Sequence, residues 1–418
     1  MTTTADVLVV GAGPAGLSAA IAAARCGDTV VLLEKMSRAG LKLLLTGGGR
    51  ANIAGPGCEI KDLIGSYGRD GRALRQALSA FNFADFLKSI LVDIERDADG
   101  VTAPAYIRGG AKQFVKALLS EAERLGITIR YSSPVVDASA SPDGGYVVQT
   151  TDGDWRCERL ILATGGMTYP QTGSTGDGFR LAGQLGCPVI TPRPALGGFS
   201  TLPAFPELAG ISISDVSASV SGIGRIAIRR RGPLLFTHRG VSGPMILNLS
   251  VELARLTDSA DALTGVPIVF DLSPDQTTEG IVDEGLARAK RSPRRSLSSG
   301  AWINGLSARV LSAIIALSGV DGSRPLAQVS KLDFRAVAQR AKSLTFTIRE
   351  PLDVAASMVT AGGVDIRALD PRTMECVESK GLHMTGELLS PAGDCGGYNL
   401  LLAFATGDAA GRNRRTPK

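Results

Sequence analysis

The chain has 418 residues, 44% of them apolar and 20% charged, which is ordinary for a globular protein and enough for two or three domains. The net charge of +5 gathers at Arg229–Arg231, Lys290–Arg295 and the tail Arg412–Lys418, a modest excess that weighs against a dedicated nucleic-acid binder. No apolar run approaches the roughly 20 residues that cross a bilayer, Met1–Asp6 lacks a basic leader, and the six cysteines (Cys26, Cys58, Cys157, Cys187, Cys376, Cys395) and two histidines argue against a disulfide framework and a metal cluster and fit a reducing cytosol.

In chain order, Asp6–Val10 is a short apolar strand, Pro14–Cys26 an alanine-rich helix with proline in its first turn, and Thr29–Glu34 a second strand. This is the opening βαβ unit of a doubly wound domain. Ala111–Leu125 is predicted helical and Ile127–Tyr131 a strand. A hairpin runs from Val135 through Pro142-Asp143-Gly144-Gly145 to Val147–Thr150, and Arg159–Ala163 is a buried strand leading into Thr164-Gly165-Gly166. Beyond about Pro188, alternation at Val216, Ala218 and Val220, then at Ile226 and Ile228, with Val266–Leu272 following, predicts an antiparallel β unit. Thr277–Lys342 is mostly helical, interrupted near Ser292–Gly300. From about Pro351 the glycine-rich style of the first part returns. The expected division is a nucleotide-binding domain over residues 1–190, a β-rich insertion over 191–275, a helical bridging part over 276–345, and a return over 346–418.

The chemistry begins at Gly11-Ala12-Gly13-Pro14-Ala15-Gly16, which follows a strand and opens a helix. Gly11 permits the tight turn, Gly13 lets backbone approach a pyrophosphate, and Gly16 lets helix and strand pack closely. The helix start offers free N–H groups and a positive dipole end to phosphate. Glu34 closes the second strand, where a carboxylate accepts from ribose hydroxyls. Strand, glycines, helix and acid are in register, so this is a dinucleotide site.

Later loops narrow the cofactor. Thr46-Gly47-Gly48-Gly49-Arg50-Ala51-Asn52 sets three glycines beside a cation and an amide, backbone able to lie against a flavin or a phosphate, with Arg50 or Lys42 offsetting negative charge. Leu162-Ala163-Thr164-Gly165-Gly166 resembles the second nucleotide-contact motif of glutathione-reductase-like flavoproteins. Near the C-terminus, Thr385-Gly386-Glu387 precedes Gly393 to Leu400, and an alanine-rich helix follows. An acid at Glu387 would bind a ribityl chain. The helix start at Gly397, Tyr398, Asn399 and Leu400 would face a flavin, its N–H groups stabilising the anionic reduced form. Lys35, Val135 and Asp177 complete the predicted contacts with FAD.

Jointly these segments, with Ala163–Gly178, Phe236–Pro244, Val359–Val364 and Asp394–Asn399, resemble the bacterial BaiN/RdsA-type NAD(P)/FAD-dependent oxidoreductases nearly end to end. The resemblance implies an α/β fold, a Rossmann-like FAD-binding domain of glutathione-reductase type with an inserted antiparallel β domain and a helical subdomain. It also implies non-covalent FAD. The activities attributed to that family are reduction of carbon–carbon double bonds in bile-acid-like enones, reduction of uridine in ribosomal RNA, and amine oxidation. The sequence departs from the family pattern at Ala51, where cysteine is usual, at Leu382–Gly386, and at Leu400–Thr406, where Gln, Trp and Ser are usual.

Candidate proton donors are Tyr398, His383, Tyr169 and Cys395, the last as a lowered-pKa thiolate or an inert buried thiol. Thr237-His238-Arg239-Gly240 is expected to be a capped turn before a helix at Pro244. There is no second G-x-G-x-x-G, so NAD(P)H would bind transiently, or oxygen would accept the electrons. The favoured function is oxidoreduction of a small, conjugated substrate. Uridine reduction in ribosomal RNA, amine oxidation and non-catalytic flavin binding stand as alternatives.

Overall fold

The computed structural model describes residues 3–54, 59–96, 105–223, 227–259, 261–350 and 352–413. Ile226, Cys58, Pro351 and the tail from 414 to 418 lie outside them. The chain divides into two compact units, Met1–Ala195 with Asp353–Lys418, and Leu196–Leu352.

The first unit is built on a sheet in which Thr3–Val10 pairs in parallel with Val30–Leu33 on one side and with Gly153–Leu162 on the other. Thr128–Arg130 extends the sheet beyond Val30–Leu33. Val7 to Val10 and Val30 to Leu33 are all buried, because a parallel strand covered on both faces needs an unbroken apolar run. Gly153–Leu162 is longer than its sequence suggests and changes partners along its length. Its first half pairs antiparallel with Tyr146–Thr150 of the predicted hairpin, and its second half takes Leu382–Met384 as a parallel neighbour.

The last helix, Tyr398–Arg412, packs closely on the first, Pro14–Arg25. Glycine permits this approach. A Cβ on Gly407 would stand 2.3 Å from the Ala15 carbonyl oxygen, and one on Gly411 2.3 Å from that of Ala19. On another side of the same helix, fully buried Phe404 meets Phe83, Phe86 and Phe114 at ring-centroid distances of 5.2, 5.3 and 5.3 Å. One helix thus ties the two chain ends of the unit together.

The second unit holds a closed antiparallel barrel in the order Phe199–Leu202, Gly240–Ser242, Ile228–Thr237, Ser212–Val220, Pro267–Asp271, Leu344–Ile348. Its last strand follows the helices Thr278–Arg291, Ala308–Leu317 and Lys331–Lys342 in the chain. Those helices start at side-chain caps from Thr277, Ser307 and Ser330, and Ser330 forms a reciprocal capping box with Asp333. They share one apolar core with the barrel, Phe270 and Phe346 from strands joining Trp302 and Phe334. His238 and Arg239 form the two-residue turn between Ile228–Thr237 and Gly240–Ser242, since Thr237 pairs with Gly240. That corrects the expected capped turn: the short strand Gly240–Ser242 intervenes before the helix Pro244–Leu256. Among the described residues no helix is long and apolar enough to span a membrane.

Overpacking the helix contact should destabilise the first unit. Gly407→Val is expected to cost about 2–3 kcal/mol in urea unfolding, because the Ala15 backbone cannot retreat. Gly183→Ala, in a helix where a Cβ meets nothing within 4 Å, should be near neutral.

Candidate functional site

A cleft in the first unit begins where the first strand turns into the first helix. Gly11 has φ +102°, and a Cβ on it would stand 2.6 Å from the Ala163 carbonyl oxygen. A Cβ on Gly16 would fall 1.8 Å from the Gly11 carbonyl oxygen, so the helix rests directly on the turn. Gly13 differs: nothing lies within 4 Å of its absent Cβ, because that side opens into the cleft. Among the described residues no side chain caps the helix start, and no acid stands in its first turn. Its N–H groups and dipole are left for an anion.

Glu34 lies beside this turn. Its carboxylate accepts from the backbone N–H groups of Ala12 and Met36, both at 2.8 Å. Burial raises its pKa, and those two hydrogen bonds and the charge of Lys35 pull it partly back. Lys35 itself turns to Asp177, 2.6 Å away, and to Thr175. Burial works against ionisation of Asp177, but Lys35 and Thr175 outweigh it and hold the carboxyl below its ordinary value.

Elsewhere in the cleft, Lys42 donates to both oxygens of Glu387 at 2.8 and 2.7 Å and to Thr168 at 2.9 Å. Glu387 also accepts from the Thr360 N–H at 2.9 Å and from the Thr168 hydroxyl at 3.2 Å, so with Lys42 this carboxylate has three donors. The Tyr169 ring centroid lies 6.0 Å from Lys42 Nζ. Asn399 folds back on its own loop: its amide exchanges two hydrogen bonds with the Gly393 backbone, at 2.7 and 2.9 Å. Leu400 and Ala403 of the last helix, with Met358 and Val359, add apolar wall. The space between these residues is about 1210 Å³, its open mouth included.

Of the predicted contacts, Gly11, Gly13, Pro14, Ala15, Glu34, Lys35, Lys42, Thr46, Val135, Ala163, Thr164, Gly165, Asp177, Glu387, Asn399 and Leu400 line this one cleft. Gly16, Gly48, Gly49, Asn52, Gly386, Gly397 and Tyr398 are not among its lining residues. Arg50 does not enter, because its guanidinium stacks over the Tyr106 ring at 4.2 Å.

The proton donors mostly fall elsewhere. His383 is buried in the sheet on Leu382–Met384, its Nε2 3.0 Å from the Asn413 amide past the end of the last helix. Tyr398 turns its carbonyl to the Tyr67 hydroxyl at 2.7 Å and its ring edge-on to Tyr67. The Cys395 thiol is pushed up by burial and by the Asp394 charge, against a weaker pull from the Gly396 N–H, the direction of the inert-thiol alternative. Tyr169, beside Lys42, is the candidate that stays near the cleft. The sequence reading missed Arg38, an exposed cation on the cleft wall four residues past Glu34, and the glycine turn at Gly173. A basic residue just beyond the ribose acid was the available signal for Arg38.

A family model described as HI0933-like protein Rossmann domain matches residues 5–413. The chain belongs to the HI0933-like family. The chain is similar to a ribosomal RNA dihydrouridine synthase of Haemophilus influenzae, 28% identical with 96% of each chain covered. A 3-dehydro-bile acid delta(4,6)-reductase of Clostridium scindens is also 28% identical, with 97% of each covered. Among solved structures, a 3-ketosteroid-delta4-(5alpha)-dehydrogenase of Rhodococcus jostii RHA1 superposes with a TM-score of 0.52 at 18% identity, covering 98% of this chain and 96% of that one. The HI0933-like chain is therefore an FAD-dependent oxidoreductase by family, on a Rossmann-like flavoprotein fold with an inserted antiparallel barrel.

The cleft fits FAD on its own geometry. Its open Gly13 face and uncapped helix start suit a diphosphate, Glu34 suits ribose hydroxyls, and Thr164 Oγ1 is buried with no hydrogen-bond partner among the described residues. A ribose hydroxyl donates best to ionised Glu34. Affinity for FAD should therefore be full above the raised Glu34 pKa and fall as pH drops through it, beginning at higher pH than for an exposed glutamate near about 4.3. Glu34→Gln should weaken FAD binding about tenfold at neutral pH, the loss of one charge-assisted hydrogen bond, and remove that acid-side fall. Flavin fluorescence titration across pH measures both.

Proposed function

We propose that this protein reduces a carbon–carbon double bond conjugated to a carbonyl in a small, largely apolar substrate, or runs the reverse dehydrogenation, with NAD(P)H or oxygen as the other redox partner. The observation that carries this reading is the wall formed by Met358, Val359, Leu400 and Ala403, in a cleft whose lysines are already engaged by Asp177 and Glu387. Away from the diphosphate anchor at the first helix start, such a wall rewards burial of the uncharged flavin ring and of an uncharged molecule brought against it. Both named relatives support the reaction type, since a dihydrouridine synthase and a delta(4,6)-reductase each saturate a double bond.

FAD, when bound, supplies the two-electron transfer. The chain's own share is to hold the diphosphate at the first helix start, keep Glu34 on the ribose, exclude water with the apolar wall, and hold a proton near the substrate. Tyr169 beside Lys42 is the group we assign to that last task.

Ribosomal RNA is the second reading, supported by the Haemophilus relative. Four cations of the basic clusters that motivated it are held by carboxylates. Arg230 pairs with Glu252 at 2.8 Å, Arg231 with Asp215 and Asp275 at 2.6 Å each, Arg291 with Glu284 at 2.6 Å and Arg412 with Asp408 at 2.6 Å. Paired cations contribute little to phosphate binding.

The purified protein, reduced anaerobically with NADH or NADPH, should be reoxidised by α,β-unsaturated ketones faster than by ribosomal RNA. Reoxidation by RNA alone, with dihydrouridine formed, would favour the second reading over this one. Tyr169→Phe should lower turnover of the ketone by about 10²-fold, the usual worth of a positioned proton donor, while leaving FAD affinity within twofold. An unchanged turnover would remove Tyr169 from the mechanism.

A further inference from the structure

Cys187 and Cys376 are 189 positions apart in sequence, yet their sulfurs lie 2.7 Å apart in the core of the first unit. Both side chains are buried, at 3% and 2% exposure. This is closer than two non-bonded sulfurs rest, though longer than the roughly 2.05 Å of an S–S bond, and both cysteines are free thiols.

The contact does not depend on the thiols alone, because hydrogen bonds hold their two segments together on either side. The Asp365 N–H donates to the Pro188 carbonyl at 2.9 Å, and the Ser379 hydroxyl to the Leu185 carbonyl at 3.2 Å. Cys376 is further fixed by its N–H on the Leu382 carbonyl at 2.7 Å. The backbone around both cysteines is thus set before any sulfur chemistry.

We infer that Cys187 and Cys376 are an oxidisable pair that closes into an intrachain disulfide and clamps two walls of the cleft. The helix Asp177–Gln184, which ends just before Cys187, contributes Asp177 and Leu181 to the cleft. The strand Leu382–Met384, just after Cys376, leads to Glu387. The whole second unit, Leu196–Leu352, lies in sequence between the two cysteines. The bond would join covalently the two chain segments from which the first unit is assembled.

The oxidant is a low-molecular-weight disulfide such as oxidised glutathione. One thiol loses its proton and its sulfur attacks the oxidant, releasing one glutathione. The second thiol loses its proton and displaces the other glutathione. One Sγ–Sγ bond forms, the oxidant's S–S bond breaks, and two glutathione molecules carry off the two protons and two electrons. Burial raises the Cys187 thiol, and the neighbouring Cys376 raises it further, so the reaction is slow and proceeds through local opening.

The test uses the full-length protein with FAD, held with oxidised glutathione, alkylated, digested and mapped by mass. The expected result is a peptide joined through Cys187 and Cys376, with two of the six thiols lost. It should come with a rise in Tm of about 5 °C that reductant reverses. Neither Cys187→Ala nor Cys376→Ala should show that rise. A map in which both cysteines stay alkylated, or a joined peptide with no change in Tm, overturns the proposal. The map is read on the unaltered chain, so it stands even if a variant folds poorly.

Discussion

The structure depends on one close approach. The first helix can sit where it does only because Gly16 has no side chain to meet the Gly11 carbonyl, and Gly11 none to meet Ala163. This brings an uncapped helix start to the carboxyl ends of Thr3–Val10 and Gly153–Leu162, where an open doubly wound sheet places its ligand. Every other cleft residue is arranged around that point. Glu34 arrives at the end of the neighbouring strand and is held there by Ala12 and Met36. Thr164 and Gly165 arrive at the end of the strand on the other side.

The rest of the cleft is built by the chain's return. The helix Tyr398–Arg412 is pressed to the first helix through Gly407 and Gly411, and Phe404 locks it against three further rings. Leu400 and Ala403 therefore stand in fixed positions relative to the first helix. The Lys42–Glu387 pair performs a similar task from the loop side. Both groups are about one-fifth exposed, and Thr168 and the Thr360 N–H satisfy further lone pairs of the carboxylate. A partly buried pair with that support keeps its geometry better than a surface pair does. The cleft is thus largely preorganised.

The sequence made the opening βαβ unit legible because its signals are local. Strand, glycines, proline and acid fall within 34 residues, and each has a physical reason for its spacing. The antiparallel unit was legible for the same reason, through alternation, and the stretch from Thr277 was legible as helical, though not its division into three helices capped at Thr277, Ser307 and Ser330. What stayed hidden is non-local. Lys42 and Glu387 are 345 positions apart, and Cys187 and Cys376 are 189 apart, so no spacing rule pairs them. The surroundings of His383, Tyr398 and Arg50 were hidden as well, because closeness in sequence to a glycine loop does not fix direction. His383 is buried within the sheet, Tyr398 spends its contacts on Tyr67, and Arg50 finds an aromatic ring.

The central claim is that one cleft of the first unit, anchored at the first helix start, holds the whole dinucleotide. The most direct measurement is an experimental structure of the protein with FAD bound. The account predicts the diphosphate on the backbone N–H groups of Gly13 and Ala15, the adenosine ribose on Glu34, and the isoalloxazine toward Lys42, Asn399 and Leu400. A diphosphate away from that helix start, or an isoalloxazine beside Glu34, would contradict it.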